Sequence, residues 1–422
     1  MKKKKITLLI YGIMLCFSGV KGQENLKVMF YNVLNYPLED AVPNRIDDLG
    51  VILNDYEPDL FMICELNNES GAMDILNSLK TNVSANFEMA NFELNTSDDT
   101  GSDQNDLQNL IYYNSEKFSL QSQDIVTTIF RDFNVYNLRL NSTDQNTNPI
   151  DFTAIVCHLK ASNGLANEAL REQMVEDLED YLDLLPAETK VLLAGDFNMY
   201  TSSEDGFQAL TDFNNNIWFM DPADRVGSWS NNTNYLDVFT QSTRTQTGLG
   251  GATGGFDDRF DFIMTTENLM IDPELSYVAN SYKVFGNNNN PNCYNSRINS
   301  SDCSGSDFSF AIREALHNFS DHLPVTIELQ TNASLTNQEF LAEANIEFVD
   351  GNLISDQLRL KINPSIVITS PIEIYDALGH LVKTITLSNS IIQTVTVSEL
   401  SNGLYFLRFP EVNIETLKFI KN

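Results

Sequence analysis

Val191-Leu192-Leu193-Ala194-Gly195-Asp196-Phe197-Asn198 sets four apolar residues directly against a glycine and an acid. A run that is apolar on both faces reads as a strand buried in a layered core. A carboxylate delivered at its end is costly to bury unless it is paired or metal-bound. Taken alone, Gly195 to Asn198 reads equally well as a turn. The sequence upstream makes the strand part of a larger unit. Residues 167–185 carry Leu170, Met174, Leu178, Leu182 and Leu185 at helical spacing, and Pro186 stops the pattern. Before that helix, residues 152–157 form another apolar run, which ends in His158.

The same arrangement recurs along the chain. Residues 26–31 run into Asn32, and residues 59–64 run into Glu65. Between them residues 45–56 read as a helix with Ile46, Leu49, Leu53 and Tyr56 on one side and Pro58 just beyond. Residues 109–113, 260–264 and 324–329 are further strands. Asp261 sits inside the second of these, and Ser320-Asp321-His322 immediately precedes the third. Strands alternating with helices predict an α/β fold, two packed β-sheets flanked by helices in a four-layer α/β sandwich. Six strands then carry Asn32, Glu65, His158, Asp196 with Asn198, Asp261, and Asp321 with His322 near their ends. Each alone has a bland explanation as a turn or loop residue. Their joint order, with two of only four histidines placed this way, does not. His317 and His380 follow no core strand with an acidic partner and read as structural.

Composition limits what the chain can be. Its 422 residues exceed what one hydrophobic core usually supports, so more than one domain is expected. A hydrophobic share of 42% excludes a largely disordered chain. Asp+Glu 58 against Lys+Arg 26, a formal charge of −32, excludes a broad basic surface for nucleic acid. It leaves open an enzyme that meets a few phosphates through metal ions. Lys2 to Lys5, an apolar run over residues 6–17 and small residues up to Gly22 read as a signal peptide, residues 1–22. That run is too short to span a membrane, and no later stretch reads as a transmembrane segment. Export permits disulfides. Cys293 and Cys303, ten residues apart in an Asn/Ser-rich loop, are the expected bridge, while Cys64 and Cys157 sit in apolar strands and read as buried free thiols. The chain is expected to act as a monomer.

The ordered set resembles the endonuclease/exonuclease/phosphatase family, the deoxyribonuclease I-like fold. The matching segments are Tyr31-Asn32, Ile63-Cys64-Glu65, Cys157-His158-Leu159-Lys160, Gly195-Asp196-Phe197-Asn198, Arg259-Phe260-Asp261-Phe262 and Ser320-Asp321-His322-Leu323-Pro324. Asp221-Pro222-Ala223-Asp224-Arg225 and Gln241-Ser242-Thr243-Arg244 are similar to runs in secreted bacterial nuclease-like members. The resemblance implies a catalytic domain over residues 23–330 with its site at the top, between the sheets. Asn32, Glu65 and Asp321 would supply oxygen ligands for Mg2+, with Mn2+ or Ca2+ as alternatives. His322 would be the general base, held in its working tautomer by Asp261. His158 would give a hydrogen bond or a proton to the phosphate or leaving oxygen. Asp196 and Asn198 would position nucleophile and phosphate, with a second metal as an option. One departure touches His158. Family members that use such a histidine as an acid often place a carboxylate on the preceding strand, which here reads Leu107-Gln108-Asn109-Leu110.

The end of the chain is of another kind. Residues 331–345 are a polar spacer. From residue 346 onward short β runs predict a small β-sandwich, and helical periodicity stops. Ile372 to His380, Leu400-Ser401-Asn402-Gly403-Leu404-Tyr405-Phe406 and Lys418-Phe419-Ile420-Lys421 resemble the C-terminal sorting domain of the type IX secretion system. The resemblance implies export through the periplasm and outer membrane, to the surface or the medium. The other reading of such a unit, a carbohydrate-binding module, calls for exposed aromatics, whereas Tyr375, Tyr405 and Phe406 fall at alternating strand positions. The resulting expectation is a secreted metal-dependent phosphodiester hydrolase, an extracellular endonuclease on DNA or RNA. The alternatives are a phospholipid phosphodiesterase such as a sphingomyelinase, a phosphomonoesterase, or a surface binding protein whose site has decayed. Decay should have removed one of Glu65, Asp196, Asp261 or His322, and all are present.

Overall fold

The computed structural model describes residues 23–96, 107–335, 346–362, 371–386, 392–409 and 417–422. The leader read at residues 1–22 and residues 336–345 of the spacer lie outside them. The chain opens with β1 (Glu24–Tyr36), α1 (Arg45–Tyr56) and β2 (Leu60–Leu66), a unit whose two strands pair in parallel. Next come α2 (Glu69–Asn82), β3 (Phe87–Met89) and β4 (Gln108–Asn114), then the hairpin of β5 (Phe118–Val126) and β6 (Phe133–Leu140). A second parallel unit follows, β7 (Asp151–His158), α3 (Leu165–Leu182) and β8 (Val191–Asp196). After it come α4 (Asp205–Leu210), β9 (Phe219–Met220), β10 (Asp261–Thr266), α5 (Glu267–Ile271), β11 (Leu275–Tyr277), β12 (Lys283–Val284), α6 (Phe310–Phe319) and β13 (Val325–Thr331).

The strands form two sheets. One runs β11-β13-β1-β2-β4-β3, with β12 also on β13, and the other runs β5-β6-β7-β8-β10-β9. Alternation along each strand divides its side chains between two cores. Phe152, Ala154 and Val156 of β7 join Leu192 and Ala194 of β8 and Ile263 of β10 in a core shared with the first sheet. Their neighbours Ile155, Leu193, Phe262 and Met264 face the other way, against Met174, Val175, Leu178 and Leu182 of α3 and Phe207 of α4. On the first sheet α1, α2 and α6 contribute Leu49, Ile52, Leu53, Ile75, Leu79, Leu316 and Phe319. The four layers are helices, sheet, sheet, helices. Phe262, stacked on Phe197 at 4.8 Å, shows what each position is worth, since truncating a buried Phe to Ala costs about 3–5 kcal/mol.

Local chemistry explains the element ends. Glu57 closes α1 in the left-handed region at φ 53°, its N–H bonded to the Leu53 carbonyl, and Pro58 prevents continuation. Gly195 lies beside Cys157 in the parallel β7–β8 pair, and a Cβ there would collide with the Cys157 side chain and carbonyl. The glycine of the Gly-Asp pair is therefore a packing requirement of the strand. Cys293 and Cys303 form a disulfide with Cα atoms 4.4 Å apart, and Cys64 and Cys157 are free and buried. The last strand runs to Thr331, one residue into the segment read as spacer, and Leu335 bridges to Ser142.

Beyond the spacer, strands Ile346–Phe348, Gln357–Ile362 and Ile392–Thr396 form a three-stranded sheet. A five-stranded sheet takes Leu353–Ile354, Leu417–Lys421, Gly403–Arg408, Ile372–Asp376 and Leu381–Ile385. Both feed one core, with Leu358, Leu360, Ile374, Leu407 and Phe419 buried together. This is a small β-sandwich. Tyr405 stacks on Phe419 at 5.4 Å within it, rather than facing outward as a sugar platform would.

Candidate active site

Topology decides where the polar residues meet. In a parallel pair both strands reach the same edge with their C-terminal ends, so β1 and β2 bring Asn32 and Glu65 there. β7 and β8 do the same for His158 and Asp196, which are partners in register. β10 and β13 run antiparallel to β8 and β1, so their starting ends lie at that edge. Asp261, the first residue of β10, pairs with Asp196, and His322 stands just before β13. All eight residues singled out from the sequence come to one edge of the sandwich.

Two of them depart from regular strand backbone. Glu65 has φ 60° and Asn198 has φ 53°, conformations uncommon for residues other than glycine. The register of β2 with both neighbours slips where Glu65 lies. These irregularities turn the Glu65 side chain inward. Its Oε1 accepts from Asn32 Nδ2 at 2.9 Å and its Oε2 from the Asn35 N–H at 3.1 Å. The same Asn32 amide donates to Asp196 Oδ2 at 3.1 Å, while Asn32 Oδ1 takes the Leu34 N–H. Asn32 thus presents a donor, not an oxygen, to the two carboxylates. Asn198 holds Asp196 from behind, its N–H donating to Oδ1 at 3.0 Å, and its side chain reaches the Leu159 carbonyl.

His322 is clamped at both nitrogens. Nδ1 lies 2.7 Å from Asp261 Oδ2, and Nε2 lies 2.6 Å from Gln241 Nε2 and 3.7 Å from Asp196 Oδ2. With the Nδ1 proton on Asp261, Nε2 faces the site as an acceptor. His158 differs. Its Nε2 stands 3.8 Å from both Glu65 Oε1 and Asp196 Oδ2, beyond hydrogen-bond reach, and its Nδ1 is buried without a partner. Asn109, on the strand where a carboxylate was sought, donates to the Asp132 and Val156 carbonyls and to Asn134 Oδ1. Asp321 is set apart from the other carboxylates. Its Oδ2 accepts from Gln241 Nε2 at 3.1 Å and from the Ala252 N–H at 2.7 Å. Two groups have ligand atoms within 4.8 Å of one another, Glu65–His158–Asp196 and Asp196–Asp261–His322, and Asp321 is in neither.

Crowding of buried carboxylates shifts their proton affinities. Burial, then Asp261 and Glu65, push Asp196 up to about 8, against the pull of His322 and Asn32. Burial and Asp321 raise Glu65. For His322 burial opposes the charge, but Asp261, Asp321 and Asp196 outweigh it and hold the pKa well above the usual value. His158 is pushed well below it by burial, Arg131, His322 and Lys160. Packed together without a cation, these carboxylates bind protons more tightly than free ones do.

Residues 29–322 match the model of the endonuclease/exonuclease/phosphatase family. The chain belongs to that family. Its members are hydrolases, nucleases and phosphatases among them. Residues 352–422 match the secretion system C-terminal sorting domain, so the chain is exported through type IX secretion to the cell surface or extracellular space. No curated protein matches. Among solved structures, the chain is similar to the human Nocturnin catalytic domain with bound sulfate, at 15% identity over 74% of this chain and 95% of that one, TM-score 0.46. D. rerio TDP2 with a single-strand DNA product gives 14% identity over 73% and 99%, TM-score 0.47. A Bacteroides thetaiotaomicron mannosyl-6-phosphatase gives 15% over 72% and 99%, TM-score 0.43.

Five arginines of the catalytic domain are held by the protein's own groups. Arg259 pairs with Asp221 through both terminal nitrogens at 2.8 Å, which accounts for the Asp221-Pro222-Ala223-Asp224-Arg225 run. Arg244 donates to the carbonyls of His317, Asn318, Leu249 and Gly250. Arg139 binds Asp151, Arg225 binds Asp237, and Arg131 reaches the Leu159 carbonyl. The segment 217–220 is no exposed lipid-binding hairpin, because Ile217 and Phe219 are buried. His317 is buried against Gln246, and His380 pairs with Asp376 in an exposed turn. Gln241 was the residue missed. The Gln-Ser-Thr-Arg run carried its signal, but no strand end marked it.

Proposed function

We propose that the chain is a secreted, divalent-metal-dependent phosphodiester hydrolase, an endonuclease on extracellular DNA or RNA. The observation that carries this reading is the His322–Asp261 pair at 2.7 Å aimed at the Glu65 and Asp196 carboxylates. The residues fit a cation. Asp196 is buried and Glu65 half-buried, the two are held face to face by one Asn32 amide, and both have raised proton affinity. They would hold Mg2+ or Mn2+, whose charge would offset that of the phosphate and of the departing oxygen.

The chain's own groups do the rest. His322 Nε2 takes the proton of the attacking water once the Gln241 contact on that nitrogen opens, and Asp261 keeps the ring in the tautomer whose Nε2 is the acceptor. Gln241 holds the same nitrogen from outside and ties it to Asp321. Asn198 fixes Asp196, and Asp321 holds the glycine-rich loop through Ala252. Gly251, with φ 64°, lies so close that a Cβ there would collide with the Asp321 carboxylate.

For substrate class, Phe130 supports nucleic acid. Arg131 at 4.9 Å and Lys160 at 5.1 Å lie over its ring, Phe130 and Arg131 standing in the β5–β6 connection and Lys160 just beyond His158. An aromatic face beside cations suits a base next to a phosphate. The test is a panel of single- and double-stranded DNA, RNA, sphingomyelin and a phosphomonoester, with and without chelator. Cleavage of DNA or RNA that stops in chelator supports the reading. Activity on the lipid or monoester alone, or undiminished activity in chelator, refutes it.

A further inference from the structure

We propose that Thr240 is the positioning residue of the general base, its hydroxyl and its carbonyl together setting how Asp261 meets His322. The inference rests on the reading of His322 with Asp261 as the pair that takes the proton of the attacking water. It names the residue that keeps the two in contact.

The partners come from different sheets. Asp261 opens β10, in the sheet β5-β6-β7-β8-β10-β9, and His322 stands before β13, in the other. Among the described residues no ladder of backbone hydrogen bonds joins β10 to β13. The 2.7 Å contact between His322 Nδ1 and Asp261 Oδ2 is therefore not fixed by strand register. Residues 240 and 241 supply the link. Gln241 forms isolated antiparallel bridges with Asp258 on one side and His322 on the other. Thr240, beside it and fully buried, reaches both partners. Its Oγ1 accepts the N–H of Phe260 at 3.1 Å and that of Asp261 at 3.2 Å. Its carbonyl takes the N–H of Leu323, the residue after His322, at 2.7 Å, and its own N–H goes to the Asp258 carbonyl at 2.8 Å.

The hydroxyl is the part that chemistry requires. Buried backbone donors need an acceptor, and one oxygen here serves two consecutive N–H groups. An apolar side chain at position 240 would leave both unpaired, and the backbone of Asp261 would move to find other partners, carrying Oδ2 with it. The carboxylate has no second anchor to resist that movement. Among the described residues its Oδ1 is buried without a hydrogen-bond partner, so Oδ2 is aimed at the imidazole by the backbone alone. The ladder with β8 holds Asp261 within its own sheet. Thr240 ties it to the segment that carries the base.

The test uses the full secreted chain. Thr240→Val keeps the shape and removes the acceptor. It should lose or broaden the downfield proton resonance of His322 Nδ1–H, which is assigned by its absence from His322→Gln. It should lower kcat by about 10- to 100-fold, with KM and cation affinity nearly intact. Thr240→Ser, which keeps the oxygen, should restore both resonance and rate. Thr240→Cys, a weak acceptor, should fall between them, so the Ser and Cys variants decide the matter even if Thr240→Val fails to fold. In an Asp261→Asn background the further loss on Thr240→Val should shrink to about twofold or less, because the residues act as a unit. A merely structural threonine would cost the same in both backgrounds. A wild-type resonance and kcat in folded Thr240→Val, a Thr240→Cys as active as Thr240→Ser, or equal losses in both backgrounds would each overturn the assignment. Failure of the wild type to cleave any member of the phosphoester panel would overturn the hydrolase reading instead, and the resonance would still decide the place of Thr240.

Discussion

The imidazole of His322 lies between two carboxylates, with Nδ1 2.7 Å from Asp261 Oδ2 and Nε2 3.7 Å from Asp196 Oδ2. The near contact fixes the tautomer, and the far one leaves the space a reacting water needs. His322→Ala should therefore lower kcat by about 10²- to 10⁴-fold with cation affinity nearly intact. Asp261→Asn should fall in the same range, and the double variant should be little worse than either, because the two act as a unit. Asp261 also raises the proton affinity of His322, so its loss should move the acid limb of the kcat/KM profile to lower pH. Additive losses in the double variant would separate the two residues.

Glu65→Ala should fail for another reason. It removes one of the oxygens offered to a cation, so excess Mn2+ should partly restore activity, as it should not for His322→Ala. Titrating activity against Mn2+ for both variants checks this, and equal rescue would show the roles to be misassigned.

Stability should depend on pH in a direction set by the site. Asp196, up to about 8, and Glu65, also raised, bind protons more tightly folded than unfolded. Between about pH 4 and 8 the unfolded chain therefore holds fewer protons at these groups, and their stabilisation is lost as pH rises. His158, pushed down, has the opposite sign and costs stability only as pH falls below about 6.5. In chelator Tm should fall between pH 6 and 8. Asp196→Asn should flatten that slope, and added Mn2+ should raise Tm more at pH 8 than at pH 6. A wild-type slope unchanged by Asp196→Asn would count against the assignment.

Gln241 should matter without being a base. Gln241→Ala removes the donor to His322 Nε2 and to Asp321 Oδ2. It should lower kcat/KM by about tenfold, the worth of one or two hydrogen bonds, while Gln241→Glu should additionally shift the acid limb to higher pH by adding a negative charge beside His322. Wild-type kinetics in both variants would make Gln241 a bystander.

What could be read from the sequence was whatever the core dictates. The strands ending at Asn32, Glu65, His158 and Asp196 are apolar on both faces, so their ends were legible, and so were the side chains placed there. The hairpin β5–β6 was not. Phe118–Val126 is mostly solvent-facing and reads Phe-Ser-Leu-Gln-Ser-Gln-Asp, with no apolar run. Helix α2 hides for a similar reason, its Gly71, Ser70, Asn77 and Thr81 lowering helical propensity while Asn68 caps it through the Gly71 N–H. The contrast between His158 and His322 was invisible too. Both follow or precede a core strand, and only geometry shows that one is held at both nitrogens and the other at neither.

The pairing of β1 with β13 joins the first strand of the catalytic unit to its last, Glu24 opposite Thr331. Asn32 and His322, which meet at the site, are 290 residues apart in the chain. A polypeptide emerging from the ribosome thus carries Asn32 and Glu65 long before it carries its base. No fragment that stops short of residue 322 contains the complete site, and chains truncated before residue 320 should be inert whatever cation is supplied. For a hydrolase destined for the outside of the cell, order of synthesis alone delays activity until about three quarters of the chain has been made.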